Sequence, residues 1–590
     1  MNHIKLAIAI ALASANSIAS MSAQQVAQSA TKNTGGREDS TMNQNIEIVK
    51  EYNPTIKEAG KINSMPELKD VDTKKLSVDY SVWASPVNPS NDSVPALDYA
   101  MPKATSKPEA KEGFIKLGGG NHISFLGEAY LPLYRDKKNL FDLSANHNST
   151  FGKVRFTKSQ YKNLQSDFRT KAKMNDNDVR LGYIRSTQSQ KELSVYAQFG
   201  YRGFNYYGYD ESQSKEEYGK FKAGQSFTNF DAGIRFRTMS LINNKFSYDV
   251  QTNYQLFHTK TDLSEHNIVT KLLGTCKTSG GDVDVLVGMD NNFLSLPADD
   301  EERGWIYSQA DNMKNNTVIS IIPSYVITGE KARLNIGAKG FFSINQGQLA
   351  SVTPDIYGSV TISSKYWFLY GGVSGDYKIN NYHNMSLENK FVSGDFRAEN
   401  TYIPIDVYLG NKINIANYAM LDINASYKVL TNPYFFINDI APNGSVMPTD
   451  SLYYGEDEGL FNIGATITSN IKNKVDLSLS GKINKWAMSK GEKPWMLPTT
   501  EANFTASYLA TNYLRFKLSY DFSGGRKALV NNEEVKMNNV NDLSLGVTYK
   551  VMSFVNVFLD LNNVLNQRYE SWYGYVNQGF NFIVGAVATF

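Results

Sequence analysis

Residues 580–590, FNFIVGAVATF, are the stretch of sequence that decides the fold. Side chains of an extended strand alternate between its two faces, so this stretch has one purely apolar face and one small or mixed face. The apolar face consists of Phe580, Phe582, Val584, Ala586, Ala588 and Phe590. The last strand of an outer-membrane β-barrel closes the barrel with an apolar face toward lipid. The stretch therefore predicts a barrel-closing strand whose Phe580, Phe582, Val584 and Phe590 face the membrane.

The same alternation repeats from Gly113 to the end of the chain. In residues 514–522 and 543–551, for example, apolar side chains alternate with charged or small ones over nine positions. A soluble sandwich also alternates, but its strands usually span about 5–6 residues, whereas these span about 9–13. Bacterial single-chain barrels have even strand numbers. We therefore predict an all-β protein, a large antiparallel transmembrane β-barrel of about 20–22 strands, with 22 as the best partition.

The connections between these segments differ in length. Long ones fall near residues 204–224, 292–314 and 431–457, and we predict that they are extracellular loops. Short ones, such as Thr511–Asn512 and Met552–Phe554, are predicted to be periplasmic turns.

The first 112 residues have a different composition. Lys5, an apolar run over 6–19 and small residues at 22–24 predict a signal peptide over 1–23, with cleavage after Ala23 or, alternatively, after Ala19. Residues 24–112 read as a periplasmic segment that ends in a proline-rich linker, since seven of the 17 prolines precede residue 113. The sequence thus divides into 1–23, 24–112 and a barrel over 113–590.

Composition excludes several classes of function. The net charge of +2 leaves no nucleic-acid footprint. The single cysteine, Cys276, allows neither an internal disulfide nor a cysteine metal site. No GxSxG, HExxH or P-loop motif occurs, and the five His residues of the mature chain show no metal-ligand spacing. The sequence therefore predicts no catalytic residue, cofactor or metal site, and no enzyme activity.

Three groups of aromatic residues have two possible interpretations. They are Tyr201, Phe204, Tyr206, Tyr207 and Tyr209; Tyr366, Trp367 and Tyr370; and Trp572, Tyr573 and Tyr575. Such rings either form a platform for a ligand or lie at headgroup level in the interfacial girdle of a barrel. We favour the girdle.

Polar clusters allow similar alternatives. The acidic runs 175–178 and 299–302 could bind calcium, but they lack the ligand spacing of a calcium loop, so solvated loops are the favoured interpretation. Ten charges of both signs fall on the predicted inner face: Arg235, Arg237, Arg515, Lys517, Asp422, Lys428, Asp476, Asp542, Lys550 and Asp560. They either line a path for a polar solute or pair with one another. The sequence does not decide between these two interpretations.

The residues before the last strand add a resemblance. LNNVLNQRYE (561–570), followed by the terminal strand, resembles the C-terminus of TonB-dependent receptors. The matching positions are Asn563, Val564, Leu565, Asn566, Tyr569, Gly579 and Phe590. Residues 46–63, 113–122 and 204–210 also resemble a Bacteroidetes group of outer-membrane barrels described as TonB-dependent-receptor-like. The resemblance implies uptake of an unknown solute across the outer membrane of a Gram-negative bacterium.

The N-terminus departs from that family. Its receptors carry a plug domain of well over a hundred residues, whereas only about 90 residues of the mature chain precede Gly113, without a plug pattern. Ile46, Glu47, Ile48, Val49 and Lys50 could form a TonB box, which pairs with TonB by β-addition. We favour the alternative of a strand or linker packed in or under the barrel. The missing plug also raises a second hypothesis, a structural or assembly subunit of an envelope complex.

The partners follow from this placement. We expect contact with outer-membrane lipid and lipopolysaccharide, with the barrel assembly machinery during insertion, and with TonB or another envelope protein. An empty barrel of about 22 strands would be a large hole, because 16–18 strands already enclose an aqueous channel. Inward loops, residues 24–112 or another protein must therefore fill it.

Overall fold

The computed structural model describes residues 113–155, 169–187, 191–207, 223–238, 245–296, 315–363, 367–394, 400–415, 418–440, 446–530 and 532–590. The predicted signal peptide, the periplasmic segment with its TonB box and the acidic run 299–302 lie outside these ranges.

Nearly all of the described chain is β-structure. The strands are β1 (Phe114–Gly120), β2 (Ser124–Arg135), β3 (Asn139–Thr150), β4 (Lys153–Arg155), β5 (Arg169–Lys171), β6 (Met174–Ser186), β7 (Lys191–Asn205), β8 (Gly224–Thr238), β9 (Phe246–Thr259), β10 (Ser264–Lys277), β11 (Asp282–Ser295), β12 (Asn316–Thr328), β13 (Ala332–Ile344), β14 (Ala350–Ser363), β15 (Trp367–Lys378), β16 (Thr401–Ile415), β17 (Ala419–Thr431), β18 (Tyr434–Ile440), β19 (Val446–Tyr454), β20 (Asp457–Ile471), β21 (Val475–Ala487), β22 (Thr500–Thr511), β23 (Leu514–Gly524), β24 (Lys527–Val530), β25 (Glu533–Lys536), β26 (Val540–Met552), β27 (Val555–Asn562), β28 (Glu570–Trp572), β29 (Tyr575–Val576) and β30 (Asn581–Thr589). One α-helix, α1 (Tyr382–Glu388), lies between β15 and β16. Within the described ranges, no helix is long and apolar enough to cross a membrane.

Twenty-two of these strands form one closed antiparallel barrel. Each strand pairs with its neighbour in the sheet, and β1 closes the ring by pairing with β30. Seven residue pairs join β1 and β30, from Phe114 opposite Thr589 to Gly120 opposite Ile583. This confirms the predicted all-β fold and the strand number of 22.

The terminal strand β30 has two distinct faces. Phe582 and Val584 are exposed on the outer surface, and Phe580 and Phe590 at its ends are exposed as well. Ile583 and Val587 point inward and are buried. The inward face is thus more apolar than the small or mixed face that the sequence suggests, because Ile583 and Val587 pack against Phe558 and Leu126 inside the closing seam.

The two ends of the barrel differ in their connections. At the turn end, two or three residues join pairs such as β2–β3, β22–β23 and β26–β27. Gly113 and Phe590 also meet there, where their backbones exchange hydrogen bonds of 2.8 and 3.0 Å. At the opposite, loop end, β7–β8, β11–β12 and β17–β20 are joined at the three positions where long loops are predicted. Four two-stranded hairpins, β4–β5, β18–β19, β24–β25 and β28–β29, and helix α1 also belong to this end.

Candidate functional site: the closed loop end

A hydrophobic core built from the long connections covers the loop end of the barrel. We call this assembly the lid. Its buried members are Val154, Ala172, Phe204, Tyr206, Tyr207, Phe227, Phe257, Leu263, Tyr382, Met385, Phe391, Val392, Phe436, Met496, Ala528, Met537, Trp572, Tyr573, Tyr575 and Val576. They come from all four hairpins and from helix α1, together with the ends of several barrel strands. The loop end is therefore a packed structure and not a set of separate solvated loops.

Three aromatic rings meet within this core. Phe391 stacks on Tyr575 with ring centroids 3.4 Å apart and an interplanar angle of 6°. The Tyr207 ring meets both edge-on, at 5.8 Å from Phe391 and 5.1 Å from Tyr575. The connections that carry them, β7–β8, β15–β16 and β27–β30, leave the barrel roughly a third of its circumference apart. Contact between the three rings therefore means that the lid spans the mouth.

We call the three rings of Tyr207, Phe391 and Tyr575 the hub, and a hydrogen bond also holds it in place. The Tyr207 hydroxyl donates to the Val576 carbonyl at 3.2 Å. Burial raises the pKa of Tyr207, because removal from water disfavours the phenolate. Tyr207 therefore remains a neutral donor, and its ring supplies apolar area while its hydroxyl finds a partner.

Helix α1 is anchored to the barrel wall. The Glu265 carboxylate, buried at the loop end of β10, accepts hydrogen bonds from the backbone N–H groups of Tyr382 and His383, both at 2.8 Å. Asn381 caps the same end, where its side chain accepts the N–H of Asn384 at 2.8 Å. A carboxyl acceptor at a helix N-terminus is favourable because its oxygens satisfy N–H groups that lack intrahelical partners.

Arg526 links two hairpins of the lid from a fully buried position. Its Nη1 donates to the carbonyls of Glu570 and Ser571 at 2.7 and 3.2 Å, and its Nη2 donates to that of Asn538 at 2.8 Å. Burial lowers the pKa of Arg526 to about 10, and the nearby Glu570 opposes this shift. The guanidinium stays protonated at neutral pH and connects β24–β25 to β28–β29.

Below the lid, charges on the inner wall pair with their cross-strand neighbours. The ion pairs are Lys116–Glu128, Arg202–Asp176, Arg235–Asp249, Arg237–Glu192, Lys339–Asp355, Lys412–Asp422 and Lys428–Asp406. Four of the ten predicted inward charges, Arg235, Arg237, Asp422 and Lys428, are among them. Asp542 instead accepts the Tyr569 hydroxyl at 2.6 Å. For these residues the structure supports mutual pairing within the wall.

The girdle interpretation is wrong for most of the predicted aromatic groups. Phe204, Tyr206, Tyr207, Trp572, Tyr573 and Tyr575 are buried in the lid. The reason is that the connections fold inward across the mouth, where large rings fill the core. Tyr201 is exposed on the outside of β7, and Tyr370 points inward, with its hydroxyl 3.2 Å from Asp422. Tyr209 and Tyr366 lie outside the described residues.

The polar run 175–178 is also placed differently from the loop expected. It belongs to strand β6, so its side chains alternate between two faces. Asp176 pairs with Arg202, and Asp178 accepts a hydrogen bond from Gln198 at 3.3 Å. Across the described part of the chain, no group of three or more His, Cys, Asp or Glu side chains could hold a metal ion.

The sequence does not predict the lid, because few of its elements have a local sequence pattern. Asn381 before YHNMSLE is an N-cap signal that could have indicated helix α1. The hydrophobic core itself has no local period to detect, since its members come from distant connections.

The structure is similar to solved structures of other large barrels, although no sequence-based comparison finds a relative. No protein-family model matches the sequence, and no curated protein matches it. A mutant of the ferric enterobactin receptor PfeA from Pseudomonas aeruginosa, solved with enterobactin, is similar in structure with a TM-score of 0.60, 11% identity and coverage of 81% of both chains. The siderophore receptor PirA from Acinetobacter baumannii is similar with a TM-score of 0.61 and 10% identity, and the match covers 83% of this chain and 81% of PirA. The copper transporter OprC is similar with a TM-score of 0.58 and 11% identity, and the match covers 81% of this chain and 80% of OprC.

These likenesses span most of each chain at very low identity. They therefore extend to the fold alone: this chain forms the same kind of large barrel as the siderophore receptors and the copper transporter.

Proposed function

We propose that the protein is an outer-membrane transporter of the TonB-dependent-receptor type that takes up a solute not yet identified. The observation that carries the proposal is the closed 22-strand barrel, which resembles receptors for ferric enterobactin and another siderophore over about four fifths of each chain. The C-terminal residues Asn563 to Tyr569 and Phe590, which resemble the same class, support it independently.

The proposed orientation follows from the two ends. Short turns face the periplasm and long loops face the exterior in bacterial barrels. The turn end, where Gly113 enters β1, is then periplasmic. Residues 1–23 direct export, and residues 24–112 begin on the periplasmic side. The 62 residues between Lys50 and Gly113 can span up to about 200 Å when extended, so Ile46–Lys50 can reach a periplasmic partner.

The lid is the gate in this proposal. Its core lies over the mouth, and a solute entering from outside must displace part of it. The seven ion pairs along the wall neutralise as many basic as acidic side chains, which favours a polar or zwitterionic solute over a strongly charged one.

The TonB step has a direct test. In the full-length protein, Ile48→Pro removes a backbone N–H and prevents a β-addition that uses it. We expect the variant to lose capture of a purified TonB C-terminal domain, while a matched control, Lys75→Pro, retains it. Equal capture by the wild type and Ile48→Pro, or none by the wild type, would sink the energised version.

A second candidate is a sealed structural or assembly subunit, favoured by the packed lid and by the self-paired wall. Single-channel recording in planar bilayers separates the two. The structural role predicts a silent barrel that co-purifies with a fixed partner, whereas transport predicts solute-dependent lid opening and TonB-dependent uptake.

A further inference from the structure

A row of polar side chains crosses the inner wall of the barrel directly beneath the lid. Its members lie opposite one another on the neighbouring strands β7 to β12, and we call them the amide row: Gln198, Asp231, Gln255, Asn267, Asn292 and Asn316. Phe230 and Phe293, which are next to row members in sequence, are exposed on the outer surface, so the row faces the lumen. Neighbouring strands lie about 4.8 Å apart, so the row extends for roughly 24 Å around the wall.

Gln255 connects the amide row to the lid. Its Nε2 donates a hydrogen bond to the Asp231 carboxylate at 2.7 Å and lies 3.2 Å from the Nε2 of His383 in helix α1. Two positions further along β9, Phe257 belongs to the core of the lid. A solute that displaces the lid therefore meets the amide row as the next layer of the wall.

The middle of the row holds polar atoms that the described part of the chain leaves without partners. Asn267 and Asn292 lie directly opposite each other, yet the Oδ1 of Asn267 and the Nδ2 of Asn292 are buried without a hydrogen bond. Asn292 is only 5% exposed. Most buried polar groups are paired, and one that is not costs free energy. A ligand that offers both a donor and an acceptor removes this cost.

The composition of the row defines the class of ligand. Five of the six side chains are carboxamides, each with two N–H donors and a carbonyl acceptor, and none is basic. The single carboxylate, Asp231, already accepts the Gln255 amide. At the β6 end, Arg180 lies opposite Gln198, but its guanidinium stacks on the Tyr196 ring, 4.3 Å from the centroid. Such a wall does not attract an anion, and it matches hydroxyl groups, which both donate and accept.

We propose that the amide row binds an extended, uncharged solute that carries several hydroxyl groups, of the kind that a short chain of sugar rings presents. The hydrogen-bonding groups of the row repeat at each strand, so successive rings of the solute can each meet one or two carboxamides. The inference rests on the proposed transport function, because it names the class of solute that passes the lid.

The test measures binding to the full-length protein in a nonionic detergent by equilibrium dialysis. The probes are radiolabelled maltohexaose and cellohexaose, which are uncharged, and hexagalacturonate, which has the same number of rings but is anionic. The variant Asn267→Leu/Asn292→Leu removes the two central carboxamides at similar side-chain volume. Its matched control is Asn462→Leu/Asn484→Leu, since these asparagines also lie opposite each other, on β20 and β21, and each has a buried side-chain oxygen without a partner. A heat-modifiable shift in gel mobility verifies that each barrel is folded.

We expect at least one uncharged probe to bind the wild type, and hexagalacturonate to bind at least about tenfold more weakly, because its charges lose water without gaining a cation. Binding of the uncharged probe should fall at least about tenfold in Asn267→Leu/Asn292→Leu, because two lost neutral hydrogen bonds each account for a factor of roughly two to ten. The control should bind like the wild type. If the double variant does not fold, Gln198→Met at the end of the row replaces it, with an expected loss of about two- to tenfold.

Three results overturn the proposal: no binding of either uncharged probe to the wild type, equal binding of hexagalacturonate, or unchanged affinity in a folded row variant. Capture of the TonB C-terminal domain separates these results from the proposed function, because Ile46–Lys50 precede the barrel and the row variants leave them unchanged. Failed probe binding with capture intact contradicts the solute class alone. Failed capture with probe binding intact contradicts energised uptake and leaves the binding site standing.

Discussion

The substitution Arg526→Met should loosen the lid while leaving the barrel intact. Arg526 is fully buried and donates to three carbonyl oxygens at 2.7, 2.8 and 3.2 Å. Methionine fills a similar volume without donors, so these carbonyls and the buried Glu570 carboxylate lose their cation. Removing one partner of a buried charged network costs about 3–5 kcal/mol. The cost falls on the contact between β24–β25 and β28–β29 and not on the barrel sheet.

Hydrogen exchange in the full-length protein measures this effect. A loss of 3–5 kcal/mol lowers amide protection in residues 525–539 and 569–576 by a factor of between about 10² and 10⁴. Amides in barrel strands such as β9 and β10 should keep their protection. In planar bilayers, the same variant should show more frequent current bursts than the wild type.

The neighbouring Lys527 supplies the matched control. It lies in the same hairpin and pairs with Glu534 at 2.5 Å, but it is 40% exposed. Because surface ion pairs contribute about 0–1 kcal/mol, Lys527→Gln should change protection less than tenfold. Wild-type protection in Arg526→Met would refute the assignment of Arg526 as the link between the two hairpins.

Three further changes test other parts of the structure. Gly585→Ala should prevent closure of the barrel, seen as a lost heat-modifiable gel shift, because its Cβ would lie 2.1 Å from the backbone oxygen of Leu117. Glu265→Gln should speed hydrogen exchange in helix α1 by roughly tenfold to a hundredfold, since glutamine replaces one of the two accepting oxygens with an amide donor. Lys493 and Lys527 lower the pKa of Glu534, so this carboxylate stabilises β24–β25 above its unfolded pKa of about 4.3, and the stabilisation is lost as pH falls below that value. Exchange corrected for its intrinsic pH dependence should therefore accelerate in this hairpin on acidification, and Glu534→Gln should remove that response.

Each of these predictions has a comparison that would contradict it. Gly358→Ala, whose Cβ would have only a side-chain atom of Leu334 at 3.9 Å, should close normally, and equal behaviour of the two glycine variants would count against the seam argument. Glu456→Gln changes an exposed ion pair and should leave helix α1 unchanged. A pH response that persists in Glu534→Gln would place its origin elsewhere.

The barrel could be predicted because its pattern is local. Each strand, for example residues 543–551, shows its period within nine residues, and the apolar face is visible without knowledge of any partner. The short turns after Thr511 and Met552 follow from where that period breaks. Strand number and three of the long connections were therefore accessible from the sequence. Eight barrel strands are longer than the predicted 9–13 residues, and the long connections β3–β6, β15–β16, β23–β26 and β27–β30 were not predicted.

The lid could not be predicted in this way. Tyr207 hydrogen-bonds to Val576, 369 residues away, and no periodicity connects the two positions. Tyrosine and tryptophan occur at strand ends both in an interfacial girdle and in an inward-folded lid. The two arrangements differ only in the direction in which the connection leaves the strand, which the sequence does not show. Partners of wall charges such as Arg235 depend on the register between strands, which the sequence does not reveal. Helix α1 had a local signal in Asn381 that was too short to stand out.

The three-ring hub has a consequence for how this protein can change over time. Tyr207, Phe391 and Tyr575 touch one another although their connections leave the barrel at widely separated points. In a barrel with independent loops, each loop can gain or lose residues without affecting the others. Here, a change of length in one connection moves a ring that two others need, so insertions and deletions in these three connections should be inherited as matched sets. Substitutions should therefore be frequent on the outward faces of the hairpins and rare at the three rings of the hub.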